Sequence, residues 1–246
     1  MALVPNTDIS FVFHDEIIAY IAFLFLYLTY YFGSDFPVVK RYLTRYQETP
    51  DNLEESVYVR RTMGFVLLGV IPLLVVLLWF EHPLTAYGIG LPKGDYAIWW
   101  TVIPIVVIGL GSSLRSSAKI DISYYPEVRK DSWTTRRTIV NAGYWALYLL
   151  GYEFAIRGML FFASLYAFGL WPAIMLTSVI YSLIHIFKGS GEAYGAFFLG
   201  ILFCLITYYT QSIWPVFINH VLLAVINDIK AVQKTNNTDT PSVNQP

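Results

Sequence analysis

Seven long apolar runs dominate this chain and constrain its fold more than any other feature. They cover residues 17–33, 64–80, 98–113, 139–168, 171–187, 194–209 and 214–229. Crossing about 30 Å of hydrocarbon at about 1.5 Å per residue takes roughly 20 apolar residues, and flanking aromatic residues complete the shorter runs. Lipid offers no hydrogen-bond partners to the backbone, and the runs lack the alternation of barrel strands, so each run is predicted to be a helix.

The predicted fold class is therefore all-α, a polytopic transmembrane bundle of about seven or eight helices. Composition agrees, because 56% of the residues are hydrophobic and only 13% are charged. Residues 1–232 are predicted to form a single integral membrane domain, and residues 233–246, rich in Asn, Thr and Pro, a disordered tail. The fourth run is too long for one straight crossing, so we expect it to tilt, to break near Gly151 or Gly158, or to extend beyond the bilayer.

Charge in the connections predicts the orientation of the chain. Lys and Arg are concentrated between the first and second runs and between the third and fourth, so both connections are predicted to be cytoplasmic. The N-terminus is then outside and the C-terminus cytoplasmic. The first sixteen residues contain no Lys or Arg, which is the wrong pattern for a cleaved signal peptide, so the first run is predicted to be retained.

Other features narrow the possible partners and roles. The formal net charge of −1 gives no sign of a nucleic-acid footprint, and membrane lipids are the predicted surroundings. The lone cysteine, Cys204, lies in an apolar run and is predicted to pack in the interior. Ala193, Ala196 and Gly200 recur at helical spacing, where small residues let helices approach closely, so we predict a structural role for them.

An acid and a base lie within the fourth run. Charged residues at membrane depth cost roughly 2.5 to 3.5 kcal/mol each on insertion scales, so they need a partner or a role. Glu153 and Arg157 are four residues apart, which places them on one helix face in the favourable order for a pair. Two interpretations stay open: an ion pair that locks helix packing, or a carboxylate held ionised to bind a metal or to activate water.

Two histidines lie in later runs. His185 follows Ser178 and Ser182 at helical offsets, so the three form one narrow polar face, and His220 lies in the last run. Imidazole and carboxylate are the ligand types that zinc prefers, and they can equally position a nucleophilic water without metal. Glu153, His185 and His220 are therefore a tentative metal set, although three candidate ligands without known geometry establish no cofactor.

The C-terminal half resembles a known family. YEFAIRG at 152–158, YSLIH at 181–185 and FFLGILFCLITYYTQSIWPVFINH at 197–220 are similar to the CPBP family of intramembrane proteases, which includes the type II CAAX prenyl endopeptidases. The resemblance covers roughly 139–228, a CPBP-like core. The family carries EExxxR, FxxxH and HxxxN in consecutive helices, so the resemblance implies a catalytic set of Glu153, Arg157, His185 and His220.

The chain departs from the family at two catalytic positions. The first glutamate of the family falls on Tyr152, and the asparagine of the third motif falls on Ala224. Three interpretations compete. The chain is a variant protease in which Glu153 acts as the base, a catalytically silent member that binds a peptide, lipid or partner protein, or a transporter that shares only the fold. The first three runs are nearly free of polar residues, which disfavours transport.

For the variant protease, the sequence predicts hydrolysis of a membrane peptide or protein at or in the membrane. Water held by His185 and His220 is deprotonated by Glu153, Arg157 keeps that acid charged, and a histidine or Asn219 stabilises the oxyanion. Candidate helpers of the displaced acid are the following polar residues: Glu192, Asn227 and Asp228. Counting along the helices places Glu153 and His220 at the same depth, about 20 Å from the predicted cytoplasmic end, and His185 close to that end.

Overall fold

The computed structural model describes residues 14–33, 36–45, 52–117, 120–128 and 133–238. These residues form helices and connections without a strand, so the predicted all-α fold is confirmed. The α-helices in chain order are α1 (Asp15–Phe32), α2 (Pro37–Arg45), α3 (Asn52–Phe65), α4 (Ile71–Trp79), α5 (Ala97–Leu114), α6 (Thr135–Glu153), α7 (Phe161–Phe168), α8 (Leu170–Leu183), α9 (Ser190–Thr210) and α10 (Trp214–Thr238). Two π-helical segments, Val66–Val70 and Phe154–Leu160, join α3 to α4 and α6 to α7.

Six helices in the described ranges are long and apolar enough to cross a membrane. The predicted fifth span, 171–187, differs from the structure because α8 ends at Leu183 and has only 14 residues. At about 1.5 Å per residue this helix is about 21 Å long, shorter than the hydrocarbon layer. His185 therefore lies beyond the end of α8, in the turn that leads to Gly189.

The long fourth run forms the central helix of the bundle. It is continuous over Thr135–Phe168, and most of its apolar part is buried inside the bundle. Instead of breaking, the helix changes its winding to π over Phe154–Leu160, directly after Glu153. A π-helical segment inside an α-helix often marks a functional position. Glu153 and all seven residues of this segment are buried in the core.

Two glycines let the central helix approach its neighbour. A Cβ atom on Gly69 would lie 2.8 Å from the Cα atom of Gly151, and a Cβ atom on Gly151 would lie 3.0 Å from the backbone nitrogen of Gly69. Real Cβ atoms do not come so close to a backbone without displacing it. Contact between the two backbones is therefore what sets the distance between α6 and the first π-helical segment.

We expect Gly151→Ala to destabilise the fold by about 1 to 3 kcal/mol, because the added methyl group has to separate two packed backbones. The measurement is the free energy of unfolding in detergent. Gly143→Ala on the same helix is the matched control, since a Cβ there would meet nothing within 4 Å. The control should be neutral or slightly stabilising, as alanine favours helix more than glycine does. Equal effects of the two changes would contradict this account of the packing.

Two lysine side chains of α10 are held by carbonyl oxygens at one end of the bundle. Near the end of α10, Lys230 donates to the carbonyls of Ser113 and Arg115 at the C-terminal end of α5, and Lys234 donates to the carbonyl of Ile120 at 2.8 Å. The orientation of this end toward the cytoplasm stays a prediction. The helix α10 continues through residues 233–238 of the predicted tail, and residues 239–246 lie outside the described part of the chain.

Candidate active site

The carboxylate of Glu153 forms the centre of a buried cluster. Its side chain and that of Arg157 are both fully buried, and Nη1 of Arg157 lies 3.2 Å from Oε2 of Glu153. The guanidinium also stacks over two aromatic rings, 4.1 Å from the ring centre of Tyr181 and 5.3 Å from that of Phe203. A buried carboxylate needs such a counter-charge, since leaving either ion alone in the core would be costly.

The second oxygen of Glu153 contacts the imidazole of His220. Oε1 of Glu153 lies 2.5 Å from Nδ1 of His220 on α10. The sequence predicts only that Glu153 and His220 lie at the same depth. In the structure their side chains are in direct contact. Each oxygen of the carboxylate has one cationic or hydrogen-bonding partner, Arg157 on one side and His220 on the other.

His185 reaches the cluster through a tyrosine. Its Nδ1 lies 2.7 Å from the backbone oxygen of Tyr181, and the two rings are 4.6 Å apart. The ring of Tyr181 in turn lies 6.2 Å from that of His220 and 6.1 Å from that of Tyr152. The structure therefore brings Glu153, Arg157 and His220 into direct contact and places His185 one aromatic ring away.

Aromatic rings surround the imidazole of His220. Tyr152, Tyr181 and Phe203 approach it with ring centres at 5.7, 6.2 and 5.9 Å. Sequence reasoning missed Phe203, since one more phenylalanine in an apolar run carries no signal of its own. Its position depends on the close approach of α8 and α9, where a Cβ atom on Gly200 would lie 3.2 Å from Ser178. The small residues predicted for packing therefore help to place a wall of the site.

The two departures from the family pattern lie next to this cluster. Tyr152 is 4% exposed and packs edge-on against His220, and Ala224 is 7% exposed, one turn beyond His220 on α10. Neither position offers a carboxylate or an amide. Asn219 is buried, and one of its amide N–H groups donates to the backbone oxygen of Pro215 at 2.8 Å.

The predicted helpers of Glu153 have other contacts. Asp228 accepts hydrogen bonds from Asn141 at 2.7 Å and from Trp145 at 2.6 Å, eight residues beyond His220 on α10. Glu192, at the start of α9, accepts a hydrogen bond of 3.4 Å from Tyr125. Neither Asp228 nor Glu192 therefore binds the carboxylate of Glu153.

Tyr125 belongs to the connection between α5 and α6 and lies near the residues that follow His185. Its ring is 7% exposed, its hydroxyl accepts from Lys188 at 3.4 Å, and Nζ of Lys188 lies 5.2 Å from the ring centre. Burial, followed by the nearby negative charge of Glu192, raises the pKa of the Tyr125 hydroxyl well above its ordinary value. The hydroxyl therefore stays protonated and keeps donating to Glu192.

Polar atoms around the pair have capacity for further hydrogen bonds. Buried side-chain atoms without a hydrogen-bond partner among the described residues include Oε2 of Glu153, all three guanidinium nitrogens of Arg157, Oγ of Ser178 and Oδ1 of Asn219. Most buried polar groups in proteins are satisfied by protein or water. These donors and acceptors are of the kind that bind a water molecule or a peptide group.

A metal ion fits this geometry poorly. Nowhere in the described ranges are three His, Cys, Asp or Glu side chains grouped as a metal ion would require. Within the predicted set, Nδ1 of His220 contacts Glu153 itself, and Nδ1 of His185 contacts a carbonyl oxygen. The assignment of Glu153, His185 and His220 as metal ligands stays a prediction.

Comparison with known families gives a match in the C-terminal half of the chain. Residues 131–226 match the family model described as Rce1-like, type II CAAX prenyl endopeptidase. The match begins just before α6, includes Glu153, Arg157, His185 and His220, and ends in α10, so the resemblance to the CPBP family is confirmed over this segment. No curated protein and no solved structure matches the chain. The six apolar helices of the described ranges and this match together indicate an integral membrane protein that is similar over residues 131–226 to type II CAAX prenyl endopeptidases.

Proposed function

We propose that this chain, Rce1-like over residues 131–226, is a protease that hydrolyses peptide bonds of membrane peptides or proteins at or in the membrane. The observation that carries the proposal is the buried carboxylate of Glu153, held between Arg157 at 3.2 Å and His220 at 2.5 Å within the matched segment. An acid, a base that it orients and a fixed positive charge are the parts that hydrolysis by general base catalysis needs.

Hydrogen-bond chemistry supports His220 as the base. An ionised carboxylate only accepts hydrogen bonds, so Nδ1 of His220 carries the hydrogen that it shares with Glu153, and in the neutral imidazole Nε2 then has the free lone pair. The same reasoning applies to His185, because the carbonyl oxygen of Tyr181 also only accepts. Both histidines therefore present Nε2 as a proton acceptor. The sequence alone predicts Glu153 as the base, whereas the short contact of its Oε1 with Nδ1 of His220 favours an orienting role for Glu153.

The reaction then follows the logic of a carboxylate–histidine pair. Nε2 of His220 removes a proton from a water molecule that His185 helps to hold, and the hydroxide attacks the peptide carbonyl. Glu153 stabilises the imidazolium that forms, and Arg157 keeps Glu153 ionised and in place. The second amide N–H of Asn219 is our candidate donor to the oxyanion. The C–N bond breaks as the imidazolium returns its proton to the leaving amine.

A cleavage assay tests the proposal. We expect purified wild-type protein to cleave members of a quenched library of membrane peptides and His220→Ala to lose about 10²- to 10⁴-fold in kcat, since a general base contributes that much. His82→Ala is the matched control, because His82 lies between α4 and α5 and packs against Tyr166 instead. No cleavage by the wild-type protein would contradict the protease and favour the binding scaffold. Equal cleavage by wild type and His220→Ala would contradict the site.

A further inference from the structure

A second buried polar cluster lies outside the proposed active site. We call it the Asp228 cluster, and it consists of the following five residues: Arg61, Glu127, Asn141, Trp145 and Asp228. Oδ2 of Asp228 accepts from Nδ2 of Asn141 at 2.7 Å and from Nε1 of Trp145 at 2.6 Å. Nη1 of Arg61 donates to Oδ1 of Asn141 at 2.7 Å. The hydrogen bonds therefore run without interruption from α10 through α6 to α3.

Arg61 holds the cluster together from α3. Its guanidinium carbon lies 3.8 Å from the ring centre of Trp145, and its Nη2 contacts Oε2 of Glu127 at 3.1 Å. Arg61 is 2% exposed and Asp228 1% exposed, so both charges are removed from solvent. Glu127, in the connection between α5 and α6, is the most exposed member of the ion pair. Arg61 thus fixes both groups of α6 that bind Asp228.

The Asp228 cluster and the proposed active site connect the same two helices. Glu153 and Trp145 are eight residues apart on α6, and His220 and Asp228 are eight residues apart on α10. The higher-numbered residue of one helix contacts the lower-numbered residue of the other, so the helices run antiparallel at these contacts. Eight residues of α-helix rise about 12 Å. The two contacts are therefore equally spaced along both helices, and one register satisfies them together.

Directional bonds determine register more sharply than apolar packing does. Hydrogen bonds weaken steeply when distance or angle departs from the optimum, and buried polar networks are costly when they are only partly satisfied. If α10 shifted by one turn, about 5.4 Å, Asp228 would lose both donors and His220 would lose Glu153. The apolar residues between these two contacts would impose no comparable penalty on such a shift.

We propose that Asp228 is a positioning residue for the His220 imidazole. It touches neither Glu153 nor His220. By binding Asn141 and Trp145, which Arg61 holds in place, it fixes the register of α10 on α6 and so the contact between Nδ1 of His220 and Glu153. The role of Asp228 in catalysis rests on the proposed hydrolysis, whereas its effect on the geometry of His220 does not.

The test uses full-length protein and two readouts. Asp228→Leu removes both acceptor contacts at similar volume, and we expect kcat to fall about 10- to 100-fold, as for other residues that orient a catalytic group, with KM changed less than threefold. The side-chain ¹⁵N resonances of His220, in protein labelled at its four histidines, should shift. Asp228→Asn keeps an acceptor oxygen, so it should restore most of the activity and the resonance position. Tyr58→Phe is the matched control, because it removes a hydrogen bond within α3, from the hydroxyl of Tyr58 to Glu54.

The outcomes separate this role from plain stability and from the proposed function. A fall of kcat in Asp228→Leu with unmoved His220 resonances would overturn positioning, as would unchanged kcat and unchanged resonances. If wild-type protein cleaves nothing, the hydrolysis fails, and the resonances alone still decide whether Asp228 positions His220. If Asp228→Leu does not fold, Trp145→Phe removes a single donor, and its His220 resonances have to shift for the proposal to stand.

Discussion

Glu153→Gln is expected to lower kcat by about 10³- to 10⁴-fold, a loss at least as large as that expected for His220→Ala. Glutamine has nearly the same shape, but it removes the negative charge that stabilises the imidazolium of His220. Its amide group can also turn an N–H toward Nδ1 of His220, which forces the hydrogen onto Nε2 and abolishes the base. The measurement is kcat on a quenched peptide that the wild-type protein cleaves.

Glu192→Gln is the matched control for this loss. Glu192 is also an acid near the residues that follow His185, but its side chain contacts Tyr125 and lies outside the pair formed by Glu153 and His220. We expect the control to retain activity within a few-fold of the wild type. Glu153→Gln with undiminished kcat would remove the carboxylate from the mechanism. Similar losses in both variants would show that the assay reports negative charge in general.

Arg157→Met is expected to destabilise the fold by about 3 to 5 kcal/mol, the largest effect on stability among our predictions. The change leaves the fully buried carboxylate of Glu153 without its counter-charge, and it removes the stacking of the guanidinium on Tyr181. The measurement is the free energy of unfolding in detergent. Glu153→Met combined with Arg157→Met should recover much of the loss, because no uncompensated charge then remains.

An ion pair nearer the surface provides the comparison. Nε of Arg137 lies 3.2 Å from Oε1 of Glu54, with 22% and 17% of the two side chains exposed. Water screens this pair, so Arg137→Met should cost about 1 kcal/mol or less. Equal losses of stability in Arg157→Met and Arg137→Met would show that burial does not increase the contribution of the Arg157 ion pair. A double substitution as damaging as Arg157→Met alone would show that lost packing, and not uncompensated charge, causes the effect.

The end of α8 shows where hydropathy fails to locate a boundary. The run 171–187 is apolar nearly to its end, so it predicted a span that includes His185. In the structure α8 stops at Leu183, the backbone N–H of His185 bonds to Ser182, and Gly189 adopts a positive φ of 94°. Ile186 and Phe187 follow the end of the helix as exposed apolar residues. Hydropathy alone cannot distinguish such residues from a continuation of the helix.

The candidate active site and the Asp228 cluster show a second limit of prediction from sequence. The pairing of Glu153 with Arg157 could be predicted because both belong to one helix and its geometry fixes their spacing. The sequence predicts Asp228 only as a helper of Glu153, because a sequence does not reveal which residue of another helix Asp228 contacts. The contacts of Asp228 with Asn141 and Trp145 depend on the rotation and register of α10 against α6.

The sequence by itself determined that this chain is an all-α membrane protein with an acid–base pair in its central run, since hydropathy and helical spacing act along one segment. Only the tertiary structure decided that His220 contacts Glu153, that His185 lies beyond α8 behind Tyr181, and that Asp228 binds α6. The physical reason is that hydrophobic burial fixes which segments enter the bilayer but is not directional. The relative rotation and register of the helices follow from close packing and interhelical hydrogen bonds, which exist only after the helices have assembled.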